Sequence, residues 1–315
     1  MVDGVRGIRV LDGEEANKYL EIINIFHNVA QKYDCTFIKI PTIEKDELFT
    51  RTVGENTDIV TKQMFSFPDK KGRNLVLRPE GTAGVVRHHL DKKYNEVKKY
   101  YYSDQMFRYE RPQKGRYREF HQVGAEIIGY ENNSISDIFT IIQLSNDFLE
   151  NCIPTNTKYS FEINSIGTNE DRKIYNKELN EYFKQNIDNL SDDSINRLDK
   201  NPLRILDSKD KNDITISRNA PKLSEFRSKE SNKKFKELIQ MLNDSKISYS
   251  ENPFLVRGLD YYNDFTFEIV PENSKGSQDA LGGGGQYDNL SKLLGGKDNN
   301  GVGVAFGVDR IMELS

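Results

Sequence analysis

The chain has 315 residues, enough for one large domain or two modest ones at roughly 150 residues each. Its 45 Lys and Arg residues against 49 Asp and Glu residues give a net charge of -4, which disfavours a protein that coats nucleic acid through its overall field. Charged residues make up 30% of the chain, but the 10% of aromatic residues argues against intrinsic disorder.

Cysteine content and hydropathy predict where the protein works. Cys35 and Cys152 are too few for a zinc ribbon or a disulfide framework, so we expect both to be small apolar side chains in a reducing cytosol. The first residues lack the apolar run of a signal peptide, and no stretch approaches about 18 consecutive apolar residues. We therefore expect a soluble, cytoplasmic protein without a membrane partner.

The first half of the chain predicts helices and strands that do not alternate regularly. Apolar residues at three- and four-residue spacing predict a first helix over 14–33, with acidic residues in its first turn. Helical spacing also predicts helices over 84–90 and 135–150. The predicted strands are 37–40 (ending at Pro41), 74–77, 100–102, 106–110 and 119–129. Residues 48–81 are otherwise polar and rich in turn residues.

The second half returns to strands after a long helical segment. Its predicted strands are 161–167, 255–270 and 301–307, the last followed by a helical turn from residue 308. Because helices and strands do not form regular strand–helix–strand units, the predicted fold class is α+β, with a mainly antiparallel sheet flanked by helices. We predict a core in two parts, 1–168 and 249–315, interrupted by a charged, inserted helical subdomain at 169–248.

A strongly basic hairpin is the first candidate site. The loop between its strands carries four cations in eight residues: Arg111, Lys114, Arg116 and Arg118. Guanidinium groups bind phosphate through paired hydrogen bonds, so this loop suits a polyphosphate. Alternation along the strands puts Arg108 and Glu110 on one face of the first, and Gln122 and Glu126 on one face of the second. A merely solvated hairpin is the alternative, but it does not require Gln122 and Glu126.

Two further motifs combine charge with a tight turn. In 77–82, Glu80 and Thr82 lie on one side of a bend that could hold a small ammonium group; the alternative is a turn that caps the next helix. In 256–262, Arg257 lies beside a glycine in an apolar stretch, and a buried guanidinium needs an anionic partner. The alternative there is a surface ion pair between Arg257 and Asp260.

Glycine is concentrated towards the C-terminal end, at 282–285, 295–296 and 301–307. The spacing fits neither a P-loop nor a dinucleotide-binding fingerprint. We expect a strand with few side chains, against which a flat ligand lies and which leads to Arg310; tight packing is the alternative. Four histidines without a Cys/His cluster or an HExxH motif predict no metal site made by the protein.

Together these motifs resemble histidyl-tRNA synthetase. The resemblance runs from about Gly7 to the end of the chain, through RPEGT at 78–82, FRYERPQKGRYREFHQ at 107–122, RGLDYY at 257–262 and the glycine-rich strand. It implies a class II synthetase core and a homodimer formed partly through the first helix and the strand that ends at Pro41. Histidine, ATP and histidine tRNA would be the substrates, and Mg²⁺ would accompany ATP through its phosphates.

The resemblance also implies a role for each matching residue. Arg108 and Arg257 would be catalytic and would hold the α-phosphate of ATP. The residues that would bind histidine are Glu80, Thr82, Gln122, Glu126, Tyr261 and Tyr262. The residues that would bind ATP are Arg108, Glu110, Arg116, Phe120 and Arg310, of which Arg116 and Arg310 would bind its outer phosphates.

Three departures from the family's pattern bear on these expectations. Gln286 occupies a position where arginine usually precedes Tyr-Asp, and Asp309 stands where glutamate is common. The resemblance covers the catalytic core without the family's C-terminal anticodon-binding domain. That extent also fits a non-catalytic, histidine-sensing regulatory paralogue of ATP phosphoribosyltransferase, although the complete motifs around Glu80 and Arg257 favour the enzyme. A nucleic-acid-binding accessory protein of the same fold is a third hypothesis, which the net charge disfavours.

Overall fold

A large, mostly antiparallel sheet organises the computed structural model, which describes residues 2–130, 135–272 and 280–314. The strands are β1 Thr36–Phe37, β2 Ile43–Lys45, β3 Ser66–Pro68, β4 Asn74–Leu77, β5 Lys98–Phe107, β6 Glu119–Tyr130, β7 Tyr159–Gly167, β8 Tyr249–Glu251, β9 Asn263–Pro271, β10 Gly282–Gln286 and β11 Asn300–Gly307. The large sheet has the order β1-β5-β6-β11-β10-β9-β7-β8, and a small sheet has the order β2-β4-β3. The two pairs at the edges of the large sheet, β1 with β5 and β7 with β8, are parallel, and its central pairs are antiparallel. The predicted α+β class is therefore confirmed.

Helices cover one face of the large sheet. In chain order the helices are α1 Gly13–Lys32, α2 Asp46–Val53, α3 Thr82–Lys92, α4 Ile135–Cys152, α5 Asn169–Gln185, α6 Asp192–Leu198, α7 Lys211–Ser217, α8 Lys229–Asp244, α9 Leu290–Leu293 and α10 Val308–Met312. Apolar residues of α1, α4 and α8 share one buried cluster with β6 and β11. Phe148 is central there, because its ring meets those of Phe26 and Phe306 edge to face, with 4.9 Å between centroids in each pair.

The first helix follows directly from its sequence. Ile22, Phe26 and Val29 recur at helical spacing and are buried on one side of α1. Glu14 and Glu15 lie in the first turn, where negative charge stabilises the helix dipole. The helix predicted over 14–33 is thus confirmed within one residue at each end, and α4 confirms the helix predicted over 135–150.

The two cysteines pack as apolar side chains. Cys35 is buried in the cluster beneath the helices, and Cys152 packs against it. Burial raises the pKa of the Cys35 thiol to about 11 and that of the Cys152 thiol to about 12. Both thiols are therefore protonated near neutral pH and are poor nucleophiles.

The opposite face of the large sheet is aromatic and polar. A second buried cluster there includes Tyr100 and Tyr102 of β5 and Tyr287 after β10. Strand alternation divides β6 between the two faces: Val123 and Ala125 lie in the helix-covered core, whereas the side chains of Gln122 and Glu126 lie on the aromatic face. The face predicted to carry Gln122 and Glu126 is confirmed.

Two predicted strands are shorter in the structure. Of 37–40, only Phe37 is in β1, because the chain leaves the sheet after it and the carbonyl of Ile40 accepts a hydrogen bond from Arg78. The strand predicted over 106–110 ends at Phe107, since the backbone N–H of Tyr109 donates to the carbonyl of Gln63 and not to β6.

Two other segments also differ from prediction. The stretch 48–81, expected to be polar and turn-rich, begins within α2, whose Leu48, Phe49 and Val53 are buried. The strand expected to begin at residue 255 begins at Asn263, because the preceding residues form the loop that carries Arg257.

The segment predicted as an inserted subdomain contains α5, α6, α7 and α8. Tyr175 and Leu179 of α5 and Leu198 of α6 belong to the cluster on the aromatic face. Phe235 and Leu238 of α8 instead join the core beneath α4. The division of the chain at residues 168 and 248 stays a prediction.

Candidate active site

One cleft on the aromatic face collects the residues singled out in the sequence. Its walls come from the turn before α3, the loop between β5 and β6, the loop before β9 and the start of α10. The predicted site residues that line it are Glu80, Thr82, Arg108, Glu110, Arg116, Phe120, Gln122, Arg257, Tyr261, Tyr262 and Arg310. Glu126 is buried and hydrogen bonded to Thr82. Segments far apart in sequence therefore meet here, while the role of each residue stays a prediction.

Glu80 lies at the N-terminus of α3. Its carboxylate accepts hydrogen bonds from the backbone N–H groups of Thr82 (2.7 Å) and Ala83 (3.0 Å), where the helix dipole favours negative charge. Burial raises the pKa of Glu80, and these two hydrogen bonds oppose the rise only in part. Glu80 thus caps the helix, as the alternative prediction states, and also borders the cleft. A helix-capping turn and a site for an ammonium group are therefore compatible here.

Two hydroxyl groups hold the carboxylate of Glu126. Thr82 Oγ1 donates to Oε1 at 2.7 Å, and the Tyr287 hydroxyl donates to Oε2 at 2.6 Å. Burial raises the pKa of Glu126 to about 8, although both hydrogen bonds favour the charged form. Tyr287 is missing from the predicted site, yet its place two residues after the last glycine of β10 is a signal that could have identified it.

Arg108 is fixed from two sides. Its Nε donates to the carbonyl of Pro79 at 2.9 Å, and its guanidinium carbon lies 5.2 Å from the centroid of the Phe120 ring. Pro79 precedes Glu80, so the turn that places a carboxylate at one end of the cleft also orients a cation within it.

Arg257 has a buried acidic partner. Its Nη1 forms an ion pair with Oε1 of Glu268 on β9. The alternative prediction of a pair between Arg257 and Asp260 is wrong, because Asp260 accepts from Arg204 at 2.8 Å. Glu268 is also missing from the predicted site; a single acid in the apolar run 265–270 is the signal that could have found it.

A group of cations forms the other end of the cleft. Arg108, Arg116 and Arg310 border it together. Burial, together with the positive charges of Arg116 and Arg108, lowers the pKa of Arg310 to about 10. The Arg310 guanidinium remains charged at neutral pH, so this part of the cleft is suited to an anion with several oxygens.

The glycines near the C-terminal end make room mainly for protein side chains. A Cβ on Gly303 would lie 1.6 Å from Oε2 of Glu126, and one on Gly301 would lie 2.1 Å from the Tyr287 ring. The expectation that a flat ligand lies against this strand is thus corrected at these two positions, where tight packing is the reason for glycine. Gly282 and Gly283 of the neighbouring β10 do line the cleft.

The two departures from the family's pattern have different surroundings. The side chain of Gln286 lies under the large sheet, where Nε2 donates to the Tyr130 hydroxyl at 3.0 Å and Oε1 accepts from the N–H of Phe265 at 3.3 Å. Asp309 borders the cleft, and its Oδ2 accepts from the N–H of His121 at 2.7 Å.

Comparison with solved structures gives the class of protein. The chain matches the crystal structure of apo histidyl-tRNA synthetase from S. aureus with a TM-score of 0.78 and 31% identity, over 100% of this chain and 73% of that one. The shared architecture is the catalytic core of a class II aminoacyl-tRNA synthetase. An ATP phosphoribosyltransferase regulatory subunit/histidyl-tRNA synthetase from Bacillus halodurans matches with a TM-score of 0.71 and 22% identity, over 100% of this chain and 84% of that one, a likeness of fold alone.

Sequence comparison identifies the family within this class of synthetases. The family model for histidyl-tRNA synthetase matches residues 7–311. Histidine–tRNA ligase from Campylobacter hominis is 40% identical over 100% of this chain and 76% of its own length. The enzyme of the same name from Dictyoglomus thermophilum is 43% identical over 98% of this chain and 74% of its own length. The chain belongs to the histidyl-tRNA synthetase family.

Proposed function

We propose that the chain is a histidine–tRNA ligase, which activates histidine with ATP and transfers the histidyl group to histidine tRNA. The observation that carries the proposal is that one cleft brings buried acidic side chains and several arginines together. Glu80 in the cleft and Glu126, buried behind Thr82, suit the cationic and N–H groups of histidine, and the arginines suit the phosphates of ATP.

The first chemical step is an in-line displacement. A carboxylate oxygen of histidine attacks the α-phosphorus of ATP, and the bond to pyrophosphate breaks, with its electron pair leaving on pyrophosphate. Arg108 and Arg257 would stabilise the charge that develops on the α-phosphate. Both are held in advance, by the Pro79 carbonyl and by Glu268, so little reorganisation is needed as the charge develops.

The second step transfers the histidyl group. The terminal hydroxyl of the tRNA attacks the activated carbonyl carbon, AMP leaves with the bonding electrons, and the hydroxyl proton is lost. No side chain forms a covalent bond with a substrate in this scheme, so rate enhancement comes from positioning and electrostatic stabilisation.

Histidine would be recognised at both of its ends. Oε1 of Gln122 is buried without a hydrogen-bond donor in the part of the chain that the structure describes, so it can accept from the α-ammonium group beside Glu80 and Thr82. When ionised, Glu126 can accept a second hydrogen bond at each carboxylate oxygen, which would serve the imidazole N–H with Tyr262 and Tyr261 nearby. Another amino acid would leave these polar groups without hydrogen-bond partners, so its kcat/KM should be lower than that of histidine by roughly 10⁴–10⁵-fold.

Magnesium fits this cleft as a companion of ATP. Within residues 2–130, 135–272 and 280–314, no group of three or more His, Cys, Asp or Glu could hold a metal ion. Mg²⁺ is commonly bound through one or two carboxylates plus substrate phosphates. Oε2 of Glu268 has no donor among the described residues, so Glu268 would hold the ion and offset phosphate charge, and Glu110 also lines this cleft.

The homodimer and the cytoplasmic location stay part of the proposal. Leu20 on α1 and Phe37 on the edge strand β1 are exposed, at 54% and 51%, which supports a second copy of the chain packing there. No helix in the described ranges is long and apolar enough to span a bilayer. Similar ligases from Pyropia yezoensis and Porphyra purpurea are named as chloroplastic, so the compartment needs a direct test.

The regulatory paralogue remains the second candidate, favoured only by the fold it shares. Against it stands Arg257, which is half-buried, paired with Glu268 and part of the cleft lining. Histidine-dependent exchange of pyrophosphate into ATP separates the two. An enzyme catalyses this exchange without tRNA, whereas a sensor binds histidine and gives no exchange.

A further inference from the structure

The segment 6–9 lies across the basic loop between β5 and β6. The carbonyl of Gly7 accepts a hydrogen bond from the backbone N–H of Arg118 at 2.7 Å, and the carbonyl of Arg6 accepts one from Arg118 Nη1 at 3.3 Å. Gly7 has φ +84°, and a Cβ there would lie 2.7 Å from Cγ of Pro112, so the contact is close. This segment is therefore fastened to the loop that carries Arg116.

Arg9 extends the contact to a second element. Its Nη2 donates to Oδ1 of Asp309 at 2.7 Å, and its guanidinium carbon lies 4.1 Å from the centroid of the Tyr117 ring. Tyr117 follows Arg116 in the loop, and Asp309 precedes Arg310 in α10. One guanidinium group therefore touches the direct neighbours of both arginines predicted to bind the outer phosphates of ATP.

The positive charges in the cleft explain why a contact between the loop and α10 matters. Arg116 and Arg108 lie close enough to Arg310 for their positive charges to disfavour the charge on Arg310. Without a bound polyphosphate, this repulsion opposes a close approach of the loop to α10, and the ion pair of Lys114 with Glu313 at 2.7 Å is one contact that offsets it. Arg9 opposes the separation because its own charge is neutralised by Asp309, whose side chain is only 4% exposed, while its flat face packs on Tyr117.

We propose that Arg9 is a positioning residue for ATP, which holds the loop of Arg116 and the helix of Arg310 together so that both can bind the β- and γ-phosphates. The proposal deepens the proposed function and rests on its assignment of ATP to this end of the cleft. It also gives Asp309, a departure from the family's pattern, a specific partner in this chain.

The test compares nucleotides that differ only in their outer phosphates. Binding of ATP and of AMP is measured by calorimetry for the parent chain, Arg9→Ala and Glu15→Gln. Glu15 is the matched control because it is the other acidic partner of Arg9, at 3.3 Å, and its side chain is 57% exposed. We expect Arg9→Ala to weaken ATP binding about tenfold or more, the scale of a lost charged hydrogen bond, with AMP binding changed less than about twofold. Glu15→Gln should leave both affinities unchanged.

A second variant and a kinetic measurement complete the design. Arg9→Lys keeps the charge but loses the planar contact with Tyr117, so it should weaken ATP binding by less than the alanine variant. In pyrophosphate exchange, KM for ATP should rise in both variants while KM for histidine stays constant. Equal losses of affinity for ATP and for AMP, or no loss of affinity for ATP, would overturn the role of Arg9. If Arg9→Ala does not fold, Arg9→Lys gives the same comparison. A parent chain that binds ATP more tightly than AMP but gives no exchange would instead refute the proposed function alone.

Discussion

Arg257 and Glu268 illustrate how single residues prepare the cleft for charge. An isolated buried guanidinium is costly, and its acidic partner on β9 keeps the cation in place before any substrate binds. Oriented groups of this kind stabilise a transition state without rearranging during the reaction. The catalytic contribution of Arg257 is therefore open to a direct test.

We predict that Arg257→Ala lowers kcat for adenylate formation by roughly 10²-fold or more, the scale of one lost preorganised donor. The measurement is histidine-dependent pyrophosphate exchange with both substrates saturating. Arg73→Ala serves as the control, because Arg73 is exposed and pairs with Asp69 in the turn between β3 and β4. A rate for Arg257→Ala equal to that of the control would remove Arg257 from the mechanism.

Glu126 gives a prediction about pH. Its pKa of about 8 means that the carboxylate is mostly protonated at neutral pH and becomes a full acceptor only above pH 8 or so. If it binds the imidazole N–H, kcat/KM for histidine should rise through about pH 8, and Glu126→Gln should abolish this rise because the amide does not titrate. A rise of the same size in Glu126→Gln would assign the titration to another group.

The same raised pKa affects stability. The folded chain binds a proton more tightly at Glu126 than the unfolded chain does, so the stability this contributes is fully present below about pH 4.5 and is lost as pH rises from there to about 8. Urea unfolding of the parent chain at about pH 4.5 and about pH 9, on either side of this window, should show the loss, and Glu126→Gln should show a smaller one. An exposed control, Glu47→Gln, should behave as the parent chain does.

At the scale of elements, β10 and β11 position the site because their glycines leave space for side chains from other elements. Gly303 leaves the space that Glu126 fills, and Gly301 leaves the space for Tyr287. The position of the carboxylate behind Thr82 therefore depends on a strand that itself contributes no functional group. A substitution in this strand should disturb folding and histidine binding together.

We predict that Gly303→Ala lowers the free energy of unfolding by about 1–3 kcal/mol or more, because the new methyl group overlaps the Glu126 carboxylate and approaches the carbonyl of Ala125 at 2.9 Å. KM for histidine should rise in the same variant. Gly4→Ala is the matched control, since a Cβ at Gly4 meets nothing within 4 Å. Unchanged stability in Gly303→Ala would show that the strand and carboxylate can shift without cost.

Sequence patterns predict these elements to different degrees. The 3.6-residue period identifies α1 because one continuous side is buried, and alternation identifies the functional face of β6 for the same reason. The strand expected to begin at residue 255 fails because an apolar loop and a buried strand share one composition. Tyr287 and Glu268 escape prediction because their partners, Glu126 and Arg257, come from distant strands that only the folded sheet brings together.

At the scale of the whole molecule, the sheet brings together buried acidic groups and arginines that repel one another. Its centre holds carboxylates whose pKa values burial raises, and the loop and helix at its edge hold arginines that repel one another. Each group of like or buried charges costs free energy in the empty cleft, and a bound substrate of opposite charge offsets that cost. Histidine and ATP should therefore stabilise the folded chain, by an amount that grows with their concentrations above Kd.

Pyrophosphate exchange by the purified chain with ATP, Mg²⁺ and each of several amino acids, without tRNA, measures the proposed activity directly. We expect exchange with histidine and none above background with the other amino acids, and loss of exchange in Arg257→Ala but not in Arg73→Ala. Tight histidine binding with no exchange under any of these conditions would refute the ligase assignment and favour a sensor of histidine.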